Sequence, residues 1–151
     1  MATVVIEGLA GFAPLEGKIL GTSGAFEITQ ERIEQFCRSV DNTEWIHWDD
    51  ERCKKSPFGT TIAPGMMAAA LFPKLFFDLV DICGVDTMLF QGSDRIRLLA
   101  PIRKGARLTQ TVKVARVETR EKGLSVAYEA TWNLVGEERP VGVGTFLVRY
   151  M

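Results

Sequence analysis

The sequence predicts an α+β domain in which a curved antiparallel sheet wraps around one long central helix. Three observations carry that expectation. Residues 29–80 are helical and looped in character, whereas residues 85–150 alternate side-chain polarity with a period of two, as strands do. Between these regimes lies Gly65 followed by MMAAALFPKLFFDLV, which ends at Val80 and is apolar on nearly every side. A helix without a polar face has to be buried. One sheet covers only one side of it, so the sheet is expected to curl and supply the second cover.

The elements follow in order. Residues 17–28 alternate well enough for a strand softened by glycines. Thr29 then caps a helix, with Gln30 and Glu31 placing polar and acidic side chains in its first turn. Ile33, Phe36, Cys37 and Val40 form an apolar stripe at helical spacing. Asp41-Asn42 stop the helix, because short polar side chains compete for backbone groups. Asp49 caps a short helical turn through Glu51, Arg52 and Cys53, and Ser56-Pro57-Phe58-Gly59 is a turn. The long apolar helix starts at Gly65. Pro73 either bends it or starts a new turn, and Ile82-Cys83-Gly84 ends it. Asp94–Leu99 alternates up to Pro101. Leu108–Glu118, Leu124–Leu134 and Val141–Tyr150 are strands of an antiparallel meander, joined at Glu121-Lys122-Gly123 and Gly136–Arg139.

The 151 residues show no linker, repeat or low-complexity tract and read as a single domain, 1–151. Lys and Arg number 18 against 19 Asp and Glu, so no bulk field attracts nucleic acid, and self-association meets little long-range repulsion. Arg95 with Arg97, and Arg103 with Lys104, are local basic patches able to meet a phosphate. Three scattered cysteines, and a start without a basic stretch before Glu7, point to free thiols in a reducing, cytoplasmic setting. Lys74 and Asp78 interrupt the apolar run, so no membrane span is expected. There is no phosphate loop, GxGxxG or nucleophile elbow. One histidine without paired cysteines offers no metal site.

Chemistry concentrates in DNTEWIHWDDERCKKSPFGTTIAPG, residues 41–65. It holds the single histidine, His47, among carboxylates and amides that can orient its ring. Imidazole changes charge near neutral pH, which suits proton transfer. Gly65, flanked by Pro64 and Met66, opens the apolar helix, where its amide can donate to a ligand carbonyl and no side chain blocks the approach. Trp45 and Trp48 either wall an apolar substrate tunnel or anchor the loop.

ITQERIEQFCRSVDNTEWIHWDDERCKKSPFGTTIAPGMMAAALFPKL resembles the hydratase motif of MaoC-like dehydratases, closest to their nodulation protein N-like branch. GSDRIRLLAPIRKGARL is similar to the strand pair around the Ala-Pro of the same family. The resemblance spans residues 17–150. It implies the hotdog fold, dimers paired sheet edge to sheet edge near Asp94–Leu99, and substrates that are thioesters of coenzyme A or acyl carrier protein. No separate cofactor is implied. The implied chemistry is reversible addition of water to a trans-2-enoyl thioester, with an Asp and a His five residues later activating the water. A glycine amide polarises the carbonyl. On this chain these are His47 and Gly65, with Arg95, Arg97 or Arg103 near the coenzyme phosphates. Five residues before His47 stands Asn42, with Asp41 one further off, and histidine is common in the family where Pro64 stands here. Either Asp41 reaches the site through a slipped loop, or Asn42 takes the carboxylate position. In the second case the chain uses His47 alone, or is a non-catalytic acyl-thioester binding protein.

Overall fold

The strands expected in the C-terminal half form most of the main sheet in a computed structural model, which describes residues 4–151. The chain begins with β1 (Val4–Glu7) and two 3-10 turns, then β2 (Ile19–Thr22) and β3 (Phe26–Glu27). Helices α1 (Gln30–Ser39) and α2 (Asp50–Lys54) frame a 3-10 turn at Trp45–His47. Next come α3 (Gly65–Ala70), α4 (Phe72–Phe77) and β4 (Val80–Cys83). The chain ends with β5 (Met88–Leu98), β6 (Arg107–Thr119), β7 (Leu124–Leu134) and β8 (Gly142–Tyr150).

The main sheet is antiparallel and six-stranded, in the order β2-β6-β7-β8-β5, with β3 also pairing to β6. The β6–β7 turn depends on Gly123. Its φ is +83°, and an added Cβ would overlap the Tyr150 carbonyl, so only glycine fits. Val114, Tyr128, Trp132 and Phe146 bury one sheet face against α3 and α4. Phe72 stacks on Phe146 with ring centroids 4.1 Å apart, and the Tyr128 and Tyr150 hydroxyls meet at 2.7 Å. Desolvation holds both phenols well above their ordinary pKa.

The expected long central helix is not there. The segment is two six-residue helices, with Leu71 closing α3 and Pro73 lying in the first turn of α4. Proline has no N–H for the preceding turn and fits a helix start, so the chain restarts there. Beyond Phe77 it becomes β4, which pairs in parallel with β1 outside the main sheet. Nor is the segment buried all round: Met66, Ala70, Pro73 and Phe77 are exposed. The expected curling around a helix is likewise corrected. The strand pairing runs as an open path with β5 at one end and does not close. The strand expected at residues 17–28 is divided into β2 and β3, with a register shift between Ile19 and Gly21. No helix among the described residues is long and apolar enough to cross a membrane.

Candidate active site

The turn carrying His47 is built by caps. Thr29 Oγ1 accepts the Arg32 amide at 3.2 Å and starts α1. At the other end Asp41 adopts φ +52°. Its amide points to the Arg38 carbonyl, and the Asn42 amide donates to the Cys37 carbonyl at 2.9 Å. This is the left-handed closure that usually employs glycine. Asp41 is spent on ending the helix, and its side chain faces solvent. Asn42 Oδ1 accepts the Glu44 amide at 3.0 Å, and the Asn42 carbonyl accepts Trp48 Nε1–H at 2.9 Å. Asp49 caps α2 by accepting the Arg52 amide at 2.9 Å.

His47 is 6% exposed. Its Nδ1 lies 2.7 Å from the Ile62 carbonyl oxygen. A carbonyl only accepts, so Nδ1 carries a proton, and in its neutral form the ring presents Nε2 as an acceptor. The backbone here is doubly held. The Ile62 amide donates to the Ile46 carbonyl at 3.1 Å, and Gln30 Nε2 donates to the His47 carbonyl at 2.9 Å. Gln30 Oε1 in turn accepts from the hydroxyl of Thr61, which is fully buried. Asp50 secures the outer side of the loop through Lys104 at 2.8 Å and Thr60 at 3.0 Å. Those hydrogen bonds lower its carboxyl pKa to about 2.

His47 opens into a cavity of about 580 Å³. Asn42 and Gly65 line it with His47, and the rest of the wall is apolar, including Phe36, Ile46, Met66 and Leu98. No carboxylate lines it. Buried Pro64 also borders it and N-caps α3, so Gly65 is the first helical residue, where an amide has no intrahelical acceptor. The cavity thus offers one imidazole acceptor, an amide side chain and a backbone amide among hydrocarbon walls.

Five of the expected residues come together here: Asn42, His47, Pro64, Gly65 and Met66. Asp41 is outside. Trp45 is turned away, with the Arg52 guanidinium 4.0 Å above its ring. Arg95 borders a separate surface hollow with Asp94 and Arg116. Arg97 donates to the neighbouring Ile96 carbonyl at 3.0 Å, and Arg103 Nε donates to the Phe58 carbonyl at 2.8 Å. None of the three arginines lines the His47 cavity. The sequence did not single out Gln30, Thr61, Leu98 or the Ile62 carbonyl, because their contacts join positions far apart in the chain. Phe36 carried a signal, its place in the α1 apolar stripe, but that stripe reads as core.

Residues 17–138 match the FAS1-like dehydratase domain region. A 3-hydroxyacyl-thioester dehydratase Z of Mycobacterium tuberculosis is 34% identical over 146 residues, covering 96% of this chain and 97% of its own. The chain belongs to the MaoC-like dehydratase family. Within that family, nodulation protein N of Rhizobium meliloti is 31% identical over 135 residues, covering 87% of this chain and 84% of its own. The family fold extends to an Archaeoglobus structure described as a monoamine oxidase regulatory protein, with a TM-score of 0.79 at 18% identity. That match covers 99% of this chain and 98% of the other.

Proposed function

We propose that this member of the MaoC-like dehydratase family binds an acyl thioester in the His47 cavity and interconverts trans-2-enoyl and 3-hydroxyacyl forms. One observation supports the reading: a buried imidazole has its Nδ1 proton tied to the Ile62 carbonyl, which leaves Nε2 as the ring's acceptor in a largely apolar cavity. A water held at Nε2, with the Asn42 amide as second anchor, passes a proton to Nε2 as its oxygen bonds to C3 of the enoyl group. Charge moves to the thioester oxygen, where the Gly65 amide stabilises it. The imidazolium returns its proton to C2. Water is added across the double bond and the histidine is restored; dehydration is the reverse.

The handle is coenzyme A or an acyl carrier protein. Its phosphates lie outside the cavity, where Arg95, Arg97 and Arg103 are the candidate partners. The accompanying assembly is a homodimer. The test is hydration of crotonyl-, octenoyl- and longer enoyl-coenzyme A. Native protein is expected to turn over at least one, and His47→Ala to lower kcat/KM by at least about 10²-fold, as for a group transferring a proton in the transition state. Equal kcat/KM in H47A removes the catalytic role.

A second reading is favoured by Asn42 itself, whose Oδ1 is already engaged by the Glu44 amide. An amide takes no proton from water. On this reading the chain binds acyl thioesters without converting them. Native protein would then show no turnover yet bind a saturated acyl-coenzyme A at micromolar concentration.

A further inference from the structure

We infer that Leu98 is the specificity-determining residue that sets the length of the acyl group; the inference rests on the thioester reading of the His47 cavity. Two cavities meet at this side chain. One is the His47 cavity of about 580 Å³. The other, about 330 Å³, is bounded by Leu99, Ala100, Pro101 and Ile102. Both are walled by Ile62, Ala63, Gly65 and Leu98. Leu98 lies directly over Gly65, since a Cβ built on that glycine would overlap the Leu98 δ-methyl. The room that glycine leaves is therefore filled by the leucine isobutyl group, at the residue whose amide is to meet the thioester carbonyl.

The partition is a side chain on a fixed backbone. Leu98 pairs with Gly142 at the end of β5, and the Leu99 amide donates to the Val141 carbonyl at 2.8 Å. What moves or is replaced is thus the isobutyl group alone, on a residue that is 47% exposed. Every side chain bounding the second cavity is apolar or absent, and its polar surface is backbone alone, so the side chains offer hydrocarbon contact to an acyl chain and no charge to a phosphate. With Leu98 in place, an acyl chain anchored at Gly65 is confined to the His47 cavity. Without it, the two spaces join beside the carbonyl site and a longer chain gains apolar contact.

The experiment measures binding, so it does not depend on turnover. Butyryl-, octanoyl- and dodecanoyl-coenzyme A are saturated and cannot be hydrated. They are titrated calorimetrically into the native protein, Leu98→Ala and Leu98→Phe. L98A is expected to raise affinity for dodecanoyl- relative to butyryl-coenzyme A by at least about tenfold, the scale on which a pocket discriminates single methylene differences. L98F is expected to shift the preference towards butyryl-coenzyme A. An unchanged ranking in both variants, with the native protein binding, overturns the assignment of Leu98 and leaves the thioester reading standing. Failure of the native protein to bind any of the three overturns the coenzyme A form of that reading, and the Leu98 inference with it.

Discussion

A neutral imidazole whose Nδ1 proton is held by the Ile62 carbonyl can take a proton only at Nε2. The cation then formed has no carboxylate among the cavity's lining residues to balance it. Asn42, the other polar side chain lining the cavity, supplies a dipole where an anion would stabilise far more. Asn42→Asp is therefore expected to raise turnover by at least about tenfold, within the usual worth of a positioned acid–base group. An aspartate can keep the bond from the Glu44 amide through one oxygen and turn the other towards the cavity. Asp41→Asn is expected to leave kcat/KM within about twofold, because Asp41 closes α1 with its backbone and presents its side chain to solvent. Steady-state assays of both variants decide the matter: loss of activity in D41N with no gain in N42D would sink this view of the loop. That His47, Asn42 and Gly65 could share one cavity was legible, because a lone histidine, a nearby amide and a glycine at a helix start stand out in the sequence itself. Gln30 and the Ile62 carbonyl were not, because a residue reaches them only once α1, the His47 turn and the segment at residues 61–62 are packed together.

The elements divide in the same way. The caps at Thr29 and Asp49 and the β6–β7–β8 meander were readable because they depend on neighbours in sequence. The restart at Pro73 was one of two local options, and its choice is tied to packing. Gln110, fully buried on β6, donates to the Phe72 carbonyl at 3.1 Å and accepts Trp132 Nε1–H at 2.8 Å, holding the start of α4 against the sheet. Gln110→Leu would leave the Trp132 N–H buried without a partner and take from the Phe72 carbonyl its second donor, the one from the sheet. It is expected to cost about 1–3 kcal/mol in urea unfolding, and a loss below about 0.5 kcal/mol would mean that the network does not fix α4. The loop at residues 50–61 makes a pH-dependent contribution. Asp50 has a folded pKa of about 2, below its ordinary 3.8. A lowered carboxyl pKa contributes stability that is fully present above the unfolded value and is lost as pH falls through the folded one. Stability should decline from about pH 4 towards pH 2. Lys104→Met, which removes the partner that lowers the Asp50 pKa most, should make that decline shallower in acid-unfolding profiles.

At the scale of the whole molecule, one surface is apolar without internal cover. Met66, Ala70, Pro73 and Phe77 recur at helical spacing along α3 and α4, all exposed. Beside them runs β5, the edge strand, on which Leu89 is 50% and Phe90 63% exposed. Pro73 and Phe90 border the same apolar pocket, which joins the helical stripe to the strand. An edge with free backbone groups and large apolar side chains needs cover, and a net charge of −1 sets little long-range repulsion against a second copy. The register says where along β5 a second copy would pair. β5 departs from regular pairing between Phe90 and Gly92 and again between Asp94 and Arg97, where Arg95 takes φ +55°. The second irregularity is the wider, with two unpaired residues against one at Gln91, and it bends the edge further from a straight partner. Contact is therefore expected to centre on residues 88–93 and the exposed helix stripe, more than on Asp94–Leu99. Native protein should sediment at twice the chain mass at micromolar concentration. Phe90→Glu should shift it to the single-chain mass, because a carboxylate at the centre of an apolar seam loses its hydration without gaining a partner. Since Phe90 is already largely in water in the isolated chain, the single-chain F90E should keep native circular dichroism. Native protein that sediments as a single chain at these concentrations would rule the dimer out, and an F90E dimer would move the seam away from this half of β5.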